Sequence, residues 1–129
     1  MIEKLLNILS SKQSEQSDSE ALIRIATFFY MIDSRITLEE QEYVQKLMDA
    51  LEWESSEDIQ AFQEKVITEV NEVLDRSPEY YNSYLAKAMD SIKSEEAIVK
   101  AKEIAEAISD ADGVLADEEA NSLDFISAY

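Results

Sequence analysis

Apolar residues recur three and four positions apart along almost the whole chain, with polar residues between them. That is the period of a helix with one buried face. Ile2, Leu5, Leu6 and Leu9 share a face of a short first helix, and the polar run over residues 10–19 reads as a flexible loop. A second helix is predicted over residues 20–32, with Leu22, Ile25, Ala26 and Phe29 inward. The third begins at Thr37, where Thr37 and Glu40 have the spacing of a capping box, and buries Val44, Leu47, Met48 and Leu51.

Ser55-Ser56-Glu57-Asp58 opens a fourth helix with a capping hydroxyl and first-turn acids. Its stripe is Ile59, Phe62, Val66, Val70 and Val73. Ser77-Pro78 marks the next boundary, with Ser as cap and Pro at the first helical position. The fifth helix then carries Tyr81, Tyr84, Leu85, Ala88 and Met89. Ser94 caps a sixth, with Ile98, Ala101, Ile104, Ala105 and Ile108 inward, and a seventh follows Leu115 with Leu123 and Ile126 inward. The expectation is all-α: one domain over residues 1–129, a compact bundle of about seven helices joined by short connections.

Composition narrows the chemistry. One Gly and one Pro are too few for the turns of a β sandwich or barrel. With no Cys and no His, disulfide scaffolds, zinc fingers, Ser-His-Asp triads and His-ligated metal sites are excluded. A di-iron carboxylate bundle fails for the same reason. Acids number 29 against 11 bases, a net charge of -18. Such a chain repels phosphate backbones and anionic membrane surfaces, so neither nucleic-acid binding nor membrane insertion is expected. The N-terminus has no basic region followed by a continuous apolar run, and a cytoplasmic location is the expectation.

Sliding the chain by 79 positions superposes Ile25-Ala26 on Ile104-Ala105, Phe29 on Ile108, and Asp33 on Asp112. Glu39-Glu40 then falls on Glu118-Glu119, Val44 on Leu123 and Leu47 on Ile126. Both stretches read as helix, acidic turn, buried aliphatic, acidic helix start, which predicts two pseudo-repeated helix-turn-helix units. The second copy holds Asp110, Asp112, Gly113, Asp117, Glu118 and Glu119, and no Lys or Arg occurs from Glu103 to Tyr129. Closely spaced carboxylates in a turn suit hard cations, calcium or magnesium above all. The register is not that of an EF-hand: with Gly113 at loop position six, position one is Ile108, which cannot ligate.

Asp-Gly, an aliphatic two positions on, then Glu-Glu opening a helix, in an acidic all-helical chain of this length, resembles the TerB-like tellurite-resistance proteins and the related N-terminal domain of the DjlA co-chaperones. The resemblance runs from about Glu20 to Phe125. It implies a bundle with two pseudo-equivalent hairpins and an acidic cation-binding surface built from both copies. The positions that match are Asp33, Glu39 and Glu40 in the first copy and Asp112, Glu118 and Glu119 in the second. Asp110 joins them from the residue spacing alone. The first copy departs from the pattern at Ser34 and Arg35.

Each feature also has a plainer reading. Glu40 serves a capping box, Glu118 and Glu119 complement a helix N-terminus, and Asp112-Gly113 makes a turn. Trp53, Tyr80, Tyr81 and Tyr84 form either an aromatic binding face or part of the core. The expected function is a non-catalytic, acidic, TerB-like helical module that binds divalent cations weakly and presents a surface to a protein partner in a stress-related or membrane-associated assembly. The alternatives are an interaction module without metal and an acidic mimic of nucleic acid.

Overall fold

The computed structural model describes residues 16–32, 38–51, 53, 55–112 and 117–129, with only the backbone of residues 38–41, 110–112 and 118. Within them lie six helices: α1 (Gln16–Met31), α2 (Leu38–Ala50), α3 (Ile59–Leu74), α4 (Glu79–Asp90), α5 (Glu95–Asp112) and α6 (Asp117–Ser127). No strand occurs among the described residues. The helix expected over Ile2–Leu9, the Thr37 cap and Gly113 lie outside them.

α1 is the axis of the bundle. It packs against α2, α3, α4 and α5, while α6 closes the far side against α4 and α5. A helix so surrounded keeps only a narrow, partly exposed edge, at Glu20 and Arg24, and Ala21, Leu22, Ile23, Ile25, Ala26, Phe28 and Phe29 are all at most 1% exposed. The periodic stripe therefore captures only half of the helix. Ile23 and Phe28 lie off that stripe and are buried because four neighbouring helices cover most sides of α1. Burial of each such side chain is worth about 1.5–3 kcal/mol as an upper bound.

The other helices follow the expected amphipathic pattern. Leu47 and Met48 of α2, Phe62, Val66 and Val70 of α3, Leu85, Ala88 and Met89 of α4, and Ala101, Ile104, Ala105 and Ile108 of α5 enter one core. Ile126 of α6 is fully buried, with Leu123 partly so. Tyr43, absent from the expected stripe of α2, is fully buried as well.

Three helix starts differ from expectation. α1 begins at Gln16, so residues 16–19 are helix where the polar run predicts a loop. Its polar first turn is held by residues some 75 positions along the chain, at the start of α5. The buried Asp18 carboxylate accepts from the Lys93 backbone N–H at 2.7 Å and from the Ser94 hydroxyl at 3.1 Å. Ser94 in turn accepts from the Ala97 N–H at 3.1 Å and caps α5 as expected.

At α3 the cap is Asp58, whose carboxylate accepts from Gln60 N–H, while Ser55 accepts from Glu57 N–H in the turn before it. At α4 the backbone turn is already made at Pro78, and no side chain caps it. The Ser77 hydroxyl donates to the Glu79 carboxylate instead.

Candidate functional site

The acidic corner predicted from the sequence falls at the junction of α5 and α6. Asp110 and Asp112 occupy the last turn of α5, and Glu118 and Glu119 the first turn of α6. Glu39 and Glu40 occupy the first turn of α2. Asp33 and the side chains of Asp110, Asp112, Glu118, Glu39 and Glu40 lie outside the described residues. Glu119 is described: it is 1% exposed, whereas Asp117 beside it faces solvent. Among the described residues no group of three or more acidic side chains is placed to hold a metal ion.

A second cluster, not anticipated from the sequence, lies where α1, α3 and α4 meet. Arg24 is its centre. Its Nε donates to Glu69 Oε1 at 3.2 Å, and the Tyr84 hydroxyl donates to the same oxygen at 3.1 Å. Glu20, one turn earlier on α1, lies 3.9 Å from Arg24 Nη1 and accepts from Gln16. The Arg24 guanidinium also sits 5.1 Å over the Phe62 ring, a cation–π contact that keeps the side chain flat against α3.

The Tyr84 ring is equally constrained. It stacks on Phe28 at 6.2 Å, and Tyr81 meets the same ring edge-on at 5.7 Å. Burial, and then the Glu69 carboxylate beside it, raises the Tyr84 phenol above its ordinary value, so the hydroxyl remains a donor.

These residues bound a groove of about 420 Å³ that opens between α3 and α4. Arg24, Glu69 and Tyr84 line it together with Glu72 and Val73 of α3, Lys87 and Ala88 of α4, and Ser91 at its C-terminal cap. The volume is that of a small-molecule site. Its walls mix both charges with apolar side chains, and its constrained Arg–Glu–Tyr triad is preorganised.

The four aromatics weighed as a binding face do not act together. Trp53 packs on Phe62 and donates to the Glu57 carbonyl, and Tyr81 and Tyr84 pack on Phe28. Only Tyr80 is largely exposed, with Arg76 5.6 Å over its ring. Of the groove network, the sequence shows the Glu20–Arg24 spacing of one helical turn. The contact from Arg24 to Glu69, 45 positions away, has no local signal.

No helix among the described residues is long and apolar enough to cross a membrane. No protein-family model, curated protein or solved structure matches the chain.

Proposed function

We propose that the protein is a non-catalytic, acidic, TerB-like helical module that works in the cytoplasm by presenting its surface to a basic protein partner. Residues 1–129 form one unit in this reading, with seven helices and two pseudo-equivalent hairpins. Matching burial supports the pairing: Ile25 and Ile104, Ala26 and Ala105, Phe29 and Ile108, and Leu47 and Ile126 are all at most 1% exposed.

The observation that carries the function is where the charge sits. Glu42, Asp49, Glu64, Asp75, Glu95 and Glu106 are exposed on α2, α3 and α5 and in the turn after α3. A net charge of -18 spread in this way steers basic partners and repels acidic ones. The test is affinity capture from the native cell by the full chain and by Glu64→Lys/Glu95→Lys/Glu106→Lys. Loss of the captured protein in the variant, and its release by moderate salt, supports the reading. Equal capture by both overturns it, and release of DNA from the captured partner favours the nucleic-acid mimic.

One observation favours a cation-dependent form of this reading. No Lys or Arg occurs from Glu103 to Tyr129, where five carboxylates crowd into residues 110–119, and like charges so placed gain from compensating positive charge. Calcium or magnesium at the α5–α6 corner supplies it. Calcium should then raise the melting temperature beyond an ionic-strength-matched monovalent control, reflecting a stabilisation of about 2.7 kcal/mol at 100 times the dissociation constant. Asp112→Asn/Glu119→Gln should abolish the excess and Asp58→Asn should not. An unchanged response in the double variant leaves the interaction module without metal.

A further inference from the structure

The groove between α3 and α4 carries an unspent pair of opposite charges. Glu72 lines it from α3 and Lys87 from α4. Both are exposed, and among the described residues neither enters an ion pair, with each other or with any third group. Val73 and Ala88 add apolar lining to the same groove, and Ser91 a hydroxyl. Arg24, Glu69 and Tyr84 bond one another and bound the same space.

We propose that this groove binds a small aliphatic zwitterion, its ammonium against Glu72, its carboxylate against Lys87, and its methylenes over Val73 and Ala88. The argument is one of elimination by field and by wall. A simple anion is repelled by the net charge of -18 before it arrives, and inside the groove it meets Glu69 and Glu72. A simple cation is attracted to the whole acidic surface, so the groove, with Lys87 and Arg24 in it, is among its poorer sites. A zwitterion has no net charge for the long-range field to act on. It gains both contacts only where opposite charges and apolar wall share one groove.

The preorganised triad adds selectivity. Arg24 is already committed to Glu69 and to the face of Phe62, so it does not collapse onto the ligand carboxylate. Lys87 is left as the anion contact. A groove of about 420 Å³ accepts a chain of a few carbons with room for water. These contacts are independent of any protein docked on the acidic surface.

The test is an amide NMR titration of the full chain with β-alanine and with γ-aminobutyrate, at constant ionic strength. Butyrate and butylamine are the single-charge controls. Saturable shifts centred on Glu72, Lys87 and Ser91 are expected with at least one zwitterion, at a dissociation constant in the roughly millimolar range. Butyrate should give none there, and butylamine should shift amides across the acidic surface without saturating at the groove. Glu72→Gln and Lys87→Met should each weaken zwitterion binding about tenfold. Lys46→Met, on α2, should leave it unchanged. The substituted side chains are exposed, and Glu72 and Lys87 bond no described residue, so the variants keep the fold. The proposal is overturned if neither zwitterion shifts the groove amides, if both variants bind like the parent, or if butylamine saturates the groove equally well.

Discussion

Asp18 and Lys93 lie 75 positions apart, yet the Asp18 carboxylate accepts a 2.7 Å hydrogen bond from the Lys93 backbone N–H. Its other oxygen takes the Ser94 hydroxyl, which itself caps α5. One buried carboxylate thus joins the starts of α1 and α5, two helices that pack against each other. Asp18→Ala should cost about 3 kcal/mol, since it leaves two part-buried donors, the Lys93 amide and the Ser94 hydroxyl, without their acceptor. Asp58→Ala removes an exposed cap and should cost about 1 kcal/mol. Urea unfolding compares them. Equal costs would mean the Asp18 carboxylate does no more than an ordinary cap.

Tyr43 gives the opposite sign. Its ring is fully buried, and its hydroxyl has no hydrogen-bond partner among the described residues. An unsatisfied buried hydroxyl costs about 1–3 kcal/mol. Tyr43→Phe keeps the ring and removes the hydroxyl, so it should leave stability unchanged or raise it. Destabilisation by more than about 1 kcal/mol in urea would show that the hydroxyl is bonded in solution.

Tyr84 predicts an alkaline transition. Burial and Glu69 raise its folded value above the ordinary tyrosine value of about 10. Between the unfolded and the folded value, the native state holds a proton that the unfolded state has lost. The stabilisation is therefore complete below about pH 10 and falls as pH rises above it. Burial raises Tyr43 in the same direction, with Glu103 adding to it. Melting temperatures should drop above about pH 10, and Tyr84→Phe should flatten that drop. At neutral pH the same variant loses the bond to Glu69, at about 1 kcal/mol. An identical alkaline slope in variant and parent would refute the assignment.

Arg24 and Glu69 are each about one-third exposed or less, and the pair is reinforced by the Tyr84 bond and the Phe62 ring. A double-mutant cycle of Arg24→Met and Glu69→Gln should give a coupling above the 0.2–1 kcal/mol typical of exposed pairs. By contrast, Lys65–Glu57, at 3.4 Å and more exposed, should couple by only about 0.5 kcal/mol. A smaller coupling at Arg24 than at Lys65 would contradict the groove geometry.

Net charge sets the salt response. With -18 on a compact body, like charges repel, and monovalent salt screens them. The melting temperature should rise with added sodium chloride, by roughly 4 °C for about each 1 kcal/mol of repulsion relieved. A flat response would place counter-ions or partners on the acids already.

The helices were legible in the sequence because a bundle helix keeps one wet face, and the wet face leaves a period. Val44, Leu47, Phe62, Val66, Val70, Leu85, Ile104 and Ile126 stand in register for that reason and are buried. The Ser94 cap was legible too, since capping is local chemistry between neighbours in sequence. What had no local cause was decided only in three dimensions. The placement of α1 at the centre buries Ile23 and Phe28 outside its stripe, because burial there is conferred by α2, α3, α4 and α5. Residues 16–19 look like loop by composition and are helix because Asp18 finds donors at the start of α5. The groove came from the same source: Arg24, Glu69 and Tyr84 belong to three helices, and a polar contact between distant segments leaves no periodic trace in any of them.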